Sequence, residues 1–308
     1  MNPPNKLLFF CAMLLLSLPS LTTAQVVKPD TTSNWKKKLI FNLNLNQAAF
    51  SSSWTGGGIN SIGFNSLFNY KANYAKNKTS WDNEIGLIYG FVNTSGQGYR
   101  KTLDRIFLDT KLGYKLSDKW DLFTSLNFIS QLSKGFKYED DINGDEQEIL
   151  ISDIMAPTFI TLAVGVEYHP VDYFKVRISP FAPRLTVLHD NNGRFDAVDS
   201  IAPYGVEVGE DTRIEWLAFQ LTADFDKEIA KNINLKWRYL MFANYETLEG
   251  KTIDHRLDLM ITAKVNQFIS VGLGGILLYD FDQTDEVQLS QVFNIGFAYS
   301  FQNYEDKK

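Results

Sequence analysis

Hydrophobic and polar residues alternate with a period of two along most of the chain after residue 38. The first run places Leu39, Phe41 and Leu43 on one face and asparagines on the other. This alternation is the signature of a β-strand with one apolar face. Each run is roughly ten residues or more, the length that a tilted strand needs to cross a bilayer. Twelve runs are counted, centred on residues 39–45, 62–74, 81–91, 106–114, 120–128, 160–168, 174–178, 217–225, 235–241, 257–265, 269–279 and 293–301.

Ionised side chains avoid the apolar face of these runs and gather on the opposite face. A charge on the lipid face of a barrel costs about 2–4 kcal/mol near the midplane, so this segregation predicts a polar lumen. A soluble β-sandwich or a lipocalin-like barrel would also alternate, and periodicity alone leaves that alternative open. The residues predicted to line the lumen are Lys71, Glu84, Arg105, Asp109, Lys111, Glu167, Lys175, Arg177, Asp224, Lys236, Arg238, Arg256, Asp258 and Lys264.

The connections between runs alternate in length. Short turns follow the even-numbered runs, whereas the odd-numbered runs are followed by longer polar segments, notably Lys134–Pro157 and Ala182–Arg213. Aromatic residues gather beside the short turns, where a membrane–water boundary favours them. The pattern predicts an all-β fold, a transmembrane antiparallel up-and-down barrel of about twelve strands. We expect its long loops to be extracellular and both termini periplasmic.

The first 24 residues have the organisation of a cleaved signal peptide. Lys6 precedes an apolar run from Leu7 to Leu16, and small residues end at Ala24. The only cysteine, Cys11, lies inside that run, so the mature chain is expected to lack disulfides. The predicted organisation is a signal peptide (1–24), a periplasmic N-terminal segment (25–36), an outer-membrane barrel (37–301) and a periplasmic tail (302–308).

The last run is similar to the C-terminal signal that barrel assembly machinery recognises in Gram-negative outer membranes. Gly296, Tyr299 and Phe301 carry this resemblance, with the aromatic residues at alternating final positions. Seven residues follow Phe301, which departs from the strict form. An exposed terminal strand can be captured by strand addition before the barrel closes. The expected partners are therefore outer-membrane lipid and the assembly machinery.

From Trp35 to Phe301 the chain resembles a family of uncharacterised outer-membrane barrel proteins from Bacteroidota, a domain of unknown function. The resemblance implies the fold and the location, and it implies no activity. The matching segments are Leu43-Asn44-Leu45-Asn46-Gln47, Ser53-Trp54-Thr55-Gly56-Gly57-Gly58, Trp81-Asp82-Asn83, Arg100-Lys101-Thr102 with Asp104, Leu112-Gly113-Tyr114, and Ile151-Ser152-Asp153 leading to Ala156-Pro157.

Little in the sequence indicates catalysis or a cofactor. Asp141, Asn143 and Asp145 alternate like the oxygen ligands of a calcium loop, but no bidentate glutamate occupies the twelfth position, and a solvated turn explains the same residues. His255 has lipid-face parity, as the histidine of an outer-membrane phospholipase would, yet no serine is expected beside it. A net charge of -6 argues against nucleic acid as a partner. No cofactor is expected.

Acidic and basic residues are nearly balanced on the predicted lumen face. The balance favours ion pairs between strands, such as Glu84 with Lys111 or Glu167 with Lys175. A barrel of twelve strands lies between filled eight-stranded barrels and open porins. The sequence therefore predicts an outer-membrane barrel that is a narrow channel or transporter for small solutes. A non-conducting structural or accessory barrel that binds an envelope protein is the alternative.

Overall fold

A computed structural model of the chain describes residues 33–51, 53, 55, 58–266 and 268–304. The predicted signal peptide lies outside the described residues, as do most of the segment 25–36, part of the glycine-rich segment 53–58 and the last four residues of the tail. Among the described residues, no helix is long and apolar enough to cross a membrane.

Sixteen strands and two single-turn 3-10 helices, Pro203–Gly205 and Gly250–Thr252, form the described part of the chain. The strands are β1 (Trp35–Ala48), β2 (Ser61–Lys76), β3 (Thr79–Thr94), β4 (Gly98–Lys115), β5 (Trp120–Ser130), β6 (Gly135–Asp140), β7 (Glu146–Ser152), β8 (Thr158–Val171), β9 (Phe174–Phe181), β10 (Arg184–Val187), β11 (Thr212–Glu215), β12 (Ala218–Ala230), β13 (Ile233–Asn244), β14 (Asp254–Lys264), β15 (Ile269–Asp280) and β16 (Thr284–Gln302).

Twelve of these strands close into a barrel in which every pairing is antiparallel. The ring runs β8-β5-β4-β3-β2-β1-β16-β15-β14-β13-β12-β9 and is closed by pairing of β9 with β8. β10 continues β9 and pairs with the loop end of β8, and β11, which leads into β12, pairs with β10. The predicted closed antiparallel barrel of twelve strands is confirmed.

The pairing register assigns the two faces of the wall. Lys71 lies opposite Glu84 on the inner face, and Phe68 lies opposite Leu87 on the outer face. Because side chains alternate along a strand, one such pair fixes the orientation of its neighbours. The outer face exposes a continuous series of large apolar side chains, which include Leu43, Leu108, Leu112, Leu122, Leu126, Leu162, Leu273, Leu277, Phe293, Ile295 and Phe297.

Aromatic side chains form a belt at the short-turn end of the wall. The Trp35 ring lies 5.3 Å from the Tyr74 ring and 5.8 Å from the Trp81 ring, measured between centroids. Trp120 and Tyr168, which are paired across β5 and β8, are 4.7 Å apart. Such rings place an apolar body against lipid and a polar atom toward water.

Two of the turns at this end are tighter than the sequence predicts. β8 continues to Val171 and β12 to Ala230, beyond the ends of the predicted runs 160–168 and 217–225, so that turns of only two residues, 172–173 and 231–232, follow them. Polar residues there still pair along the ladder because backbone hydrogen bonds do not depend on side-chain polarity. Asn232, the second of the two residues between β12 and β13, adopts the left-handed conformation that asparagine tolerates in turns, with φ of 66°.

The two long loops have a small core of their own, which the sequence analysis did not predict. Leu188, Phe195 and Val206 from one loop pack with Ala156 from the other, and all four are fully buried. The Tyr204 hydroxyl donates a 2.7 Å hydrogen bond to the Ile151 carbonyl, and burial raises the pKa of Tyr204. The loop that contains Ala156 also forms the hairpin β6–β7. We call this unit the loop core.

Candidate functional site in the barrel lumen

An ion pair spans the lumen between strands on opposite sides of the barrel. Arg105 projects inward from β4 and Asp258 from β14, and Nη1 of the arginine lies 3.0 Å from Oδ1 of the aspartate. Five strands separate β4 from β14 in either direction around the ring: β3, β2, β1, β16 and β15 one way, and β5, β8, β9, β12 and β13 the other. Opposite walls are therefore joined directly by side chains.

A second crossing joins β3 to β13, which are also on opposite walls. Glu84 Oε2 lies 3.3 Å from Arg238 Nη2, and Glu84 Oε1 lies 3.5 Å from Lys236 Nζ. Arg238 is held from its own side of the barrel by Asp224, 2.5 Å away. Its guanidinium carbon also lies 5.1 Å from the ring centre of Phe107, a cation–π distance. We call the two crossings together the ion-pair bridge.

A buried cluster fills the lumen on one side of the bridge. Lys111, which is 2% exposed, donates a 2.7 Å hydrogen bond to Glu167 and lies 3.1 Å from Asp82. Arg177 binds Glu167 and Asp109, at 3.0 Å in each case. A buried charge is tolerated only when such partners replace its lost hydration. This half of the lumen is therefore occupied by its own side chains.

The structure corrects the two ion pairs that the sequence suggested. Lys111 lies opposite Asp82 in the register, whereas Glu84 lies opposite Asp109, and Lys111 binds Asp82 and Glu167. Glu167 lies opposite Arg177 rather than binding Lys175. Parity predicts which face a charge occupies, but the register decides which charges meet, and the sequence does not supply the register between strands.

The remaining predicted lumen residues have less defined partners. Lys71 Nζ lies 3.8 Å from Glu84, and Arg256 binds Asp258 at 2.9 Å. Lys175 lies opposite Asp224 in the register, and Lys264 is exposed at the short-turn end of β14. Neither Lys175 nor Lys264 has an ion-pair partner within 4.0 Å among the residues that the structure describes.

Two aromatic residues lie in the lumen beside the predicted polar residues and were not predicted from the sequence. Phe107 and Phe123 have inward parity and are 8% and 2% exposed. Phe123 lies beneath the Arg177 guanidinium, 5.9 Å from the guanidinium carbon to the ring centre. The sequence did contain a signal for them, because each is an aromatic residue among the polar inward-facing positions of its strand. Aromatic rings at such positions fill space beside arginine side chains.

The residues of the predicted assembly signal lie where the barrel closes between its first and last strands. Tyr299 is opposite Phe41 and Phe301 is opposite Leu39 in the β1–β16 ladder. Gly296 lies against Asn44 so closely that a Cβ at this position would overlap the side-chain oxygen of Asn44 and the Leu43 carbonyl. The glycine therefore serves the closure of the barrel, whatever its part in assembly.

The weak calcium candidate forms the turn of the β6–β7 hairpin. Asp141 Oδ1 accepts hydrogen bonds from the backbone N–H groups of Asn143 and Asp145, both at 2.8 Å. The N–H of Asp145, together with the N–H and side chain of Asn143, lowers the pKa of Asp141. This is the geometry of an Asx turn. Within the described ranges, no group of three or more His, Cys, Asp or Glu side chains is arranged to hold a metal ion.

His255 lies on the outer face, as its parity predicts, and its partner is a phenol. Its Nδ1 is 2.7 Å from the Tyr239 hydroxyl. The residues directly opposite His255 on the two neighbouring strands are Met241 and Tyr279. A nucleophilic serine of the kind used by hydrolases does not occupy these positions.

A closed antiparallel wall with an apolar exterior, a polar interior and an aromatic belt decides the fold class. The fold is that of an outer-membrane β-barrel. A family model described as "Protein of unknown function (DUF3078)" matches residues 45–136, from the end of β1 to the start of β6. No curated protein matches the chain.

Several solved structures match most of the chain at low TM-score and very low sequence identity. An outer membrane channel from Pseudomonas putida F1 is 8% identical with a TM-score of 0.40, and the match covers 89% of this chain and 97% of that one. The translocator domain of the autotransporter NalP from Neisseria meningitidis is 9% identical with a TM-score of 0.35, covering 88% and 90%. The KdgM porin in complex with disordered oligogalacturonate is 9% identical with a TM-score of 0.32, covering 85% and 99%. Likeness at this level carries no conclusion about activity.

Proposed function

We propose that the protein is a narrow outer-membrane channel for small solutes. The observation that carries this proposal is the ion-pair bridge, which joins Arg105 to Asp258 across the lumen. An interior lined by ionised groups and amides is compatible with water, whereas a dry interior would penalise each ionised group by several kcal/mol. The ion-pair bridge divides such a lumen into passages that are much narrower than the pore of an open porin. Transport without catalysis is the proposed activity.

The proposed setting is the outer membrane, with the long loops outside the cell and both termini in the periplasm. Short turns on one side and long loops on the other support this orientation, because outer-membrane barrels place their short turns in the periplasm. The assembly machinery is the proposed partner during insertion. Protease added to intact cells should cut the loops and spare the turns, and cleavage at the turns instead would reverse the orientation.

Conductance of the purified protein tests the channel. The full-length mature chain, reconstituted in planar bilayers, should give small and discrete current steps in potassium chloride. Proteoliposomes containing it should also swell in small neutral solutes faster than protein-free vesicles. Absence of both current and swelling, at every voltage and solute size tried, would reject the channel function.

A non-conducting accessory barrel is the second candidate, and the loop core favours it. Phe195 and its neighbours order the two longest loops into one body, while Ile142 and Ile201 remain exposed on it. Exposed apolar groups on an ordered body suit contact with an envelope protein. Cross-linking in intact cells should then trap one defined partner at the loops. Recovery of the uncross-linked chain alone would count against this role.

A further inference from the structure

The ion-pair bridge leaves one half of the lumen without charge at its centre. The strands on that side of the two crossings are β2, β1, β16 and β15. Asn44 lies opposite Asn65 on one neighbouring strand and opposite Gly296 on the other, and Gly272 lies opposite Asn294. Other inward residues of these four strands are Ile40, Asn42, Leu67, Asn69, Ser270, Gly274, Ile276, Val292 and Ala298. We call this surface the amide wall.

Exposure distinguishes the two halves of the lumen. On the far side of the bridge most of the inward residues near the ion pairs are buried, among them Lys111, Phe123, Ala163, Glu167, Arg177 and Thr222, whereas Asn127, Lys175 and Asp224 are partly exposed. On the amide wall, Asn42, Asn65, Asn69 and Asn294 are all partly exposed, although they face the inside of a closed barrel. Inward side chains can be exposed only if solvent-sized space lies in front of them. More of the solvent-accessible surface inside the barrel therefore lies along the amide wall than on the far side of the bridge.

Two amide groups near this space have unused hydrogen-bonding capacity. The Asn44 side chain is 7% exposed and makes no hydrogen bond to any residue that the structure describes. Gln288, toward the loop end of β16, has its Nε2 buried and likewise without a hydrogen-bond partner in the described chain. A buried amide nitrogen without a partner, such as that of Gln288, is uncommon in proteins and calls for an explanation. A solute that brings its own donors and acceptors supplies one.

We propose that uncharged polyhydroxy solutes, meaning polyols and small sugars, cross the barrel along the amide wall. This inference rests on the proposed channel function and names its substrate class. A side-chain amide both donates and accepts, as does a hydroxyl group, so each can replace a water molecule on the other. Ile40, Leu67 and Val292 add apolar contacts for the carbon skeleton, a mixture that is usual in sites for small molecules. An ion receives no counter-charge at the centre of this wall.

The glycines of the wall allow a test that should not disturb folding. A Cβ added at Gly272 would have its nearest neighbours at 3.8 to 4.0 Å; one added at Gly63, which lies two residues from Asn65 on the inner face of β2, would have them at 3.7 to 3.9 Å, and both are ordinary contact distances. Gly272→Leu and Gly63→Leu therefore place a side chain in the space along the amide wall without overlapping the backbone. Gly275→Leu is the matched control, because Gly275 lies on the lipid face of the same strand, and an added Cβ there has its nearest neighbour at 4.0 Å.

The measurement is the swelling rate of proteoliposomes in erythritol, together with potassium chloride conductance in planar bilayers. We expect Gly272→Leu to lose most of the erythritol permeation of the wild type, and Gly275→Leu to retain it. Asn294→Leu, which removes an amide at similar volume, should lower the erythritol rate as well. Heat-modifiable migration in detergent gels verifies that every variant is folded.

The results separate the failure of this inference from the failure of the channel itself. If erythritol permeates wild type, Gly272→Leu and Gly63→Leu at the same rate, the solute does not follow the amide wall and the inference is wrong. The proposed channel function is not contradicted by that result. If wild type passes potassium chloride but excludes erythritol, the proposed substrate class is wrong. If neither erythritol nor salt passes, the channel function fails together with the inference.

Discussion

Arg105 and Asp258 touch across the full width of the barrel, although they lie 153 positions apart in the sequence and on opposite walls. Asp258 also binds Arg256, its neighbour on the same strand, at 2.9 Å. The carboxylate therefore keeps one cationic partner when the other is removed. The contact across the lumen can therefore be removed by mutation without leaving Asp258 unpaired and without disturbing the folding of β14.

Arg105→Gln should widen the lumen without unfolding the barrel, since Asp258 remains paired. The expected result is a larger single-channel conductance than that of wild type. Arg256→Gln is the control, because it removes the same charge and leaves the crossing intact, so its conductance should stay close to wild type. Equal conductance of the two variants would show that the crossing does not limit the current.

Lys111→Met should destabilise the barrel strongly. Lys111 is 2% exposed and binds both Glu167 and Asp82, so its loss leaves buried carboxylates undercompensated. Removing one partner of a buried ion pair costs about 3–5 kcal/mol. The measurement is the unfolding transition in detergent by heat or denaturant. Lys264→Met, at an exposed lysine of β14, should leave that transition unchanged.

Leu126→Arg should impair insertion into membranes, because Leu126 is 45% exposed on the outer face. An arginine near the bilayer midplane of a barrel costs about 2–4 kcal/mol. Asn127→Ala changes the adjacent inward position and should insert normally. Folding yield into lipid vesicles measures both variants. Similar yields would contradict the assignment of faces.

Phe195→Ala should open the loop core while the barrel stays folded. A fully buried phenylalanine contributes about 3–5 kcal/mol when it is cut to alanine. We expect proteolysis within residues 188–211 to become much faster, with unchanged heat-modifiable migration of the barrel. Exposed Ile201, changed to alanine, is the control and should leave the cleavage rate unaltered. Loss of the barrel along with the loops would show that the two units fold together.

Phe301→Ala should slow assembly by the cellular machinery more than spontaneous folding into detergent. Its ring ends the strand that the assembly signal occupies, opposite Leu39. Leu289→Ala, on the outer face near the other end of the same strand, is the matched control. The measurement is the rate at which folded protein accumulates in cells. Equal rates for the two variants would remove Phe301 from the signal.

The wall of this barrel could be predicted from the sequence because a bilayer imposes a simple rule on each residue separately. Leu126 and Asn127 differ in environment only through the parity of the strand, and parity is readable without knowing what the strand pairs with. The number of strands follows from counting the runs. The hairpin β6–β7 was not predicted, because its residues from Gly135 to Ser152 alternate weakly and lie outside the bilayer.

The contents of the lumen were less predictable because they depend on the geometry of closure. Glu84 meets Arg238 only because β3 and β13 face each other in the completed ring. No local pattern encodes this distance across the barrel. The near balance of acidic and basic residues on the lumen face indicated that ion pairs form there. Which residues pair is determined by the register between strands. The loop core was missed for a similar reason, since Leu188 and Phe195 find Ala156 only after the barrel brings their loops together.

The loop core has a consequence for immune recognition of this protein. Phe195 and Ala156 come from separate segments, so the surface over them is assembled from stretches that are distant along the chain. Antibodies raised against the folded barrel should recognise a conformational epitope there and fail on a denaturing blot. A synthetic peptide that copies either loop alone should be a poor immunogen against the native protein.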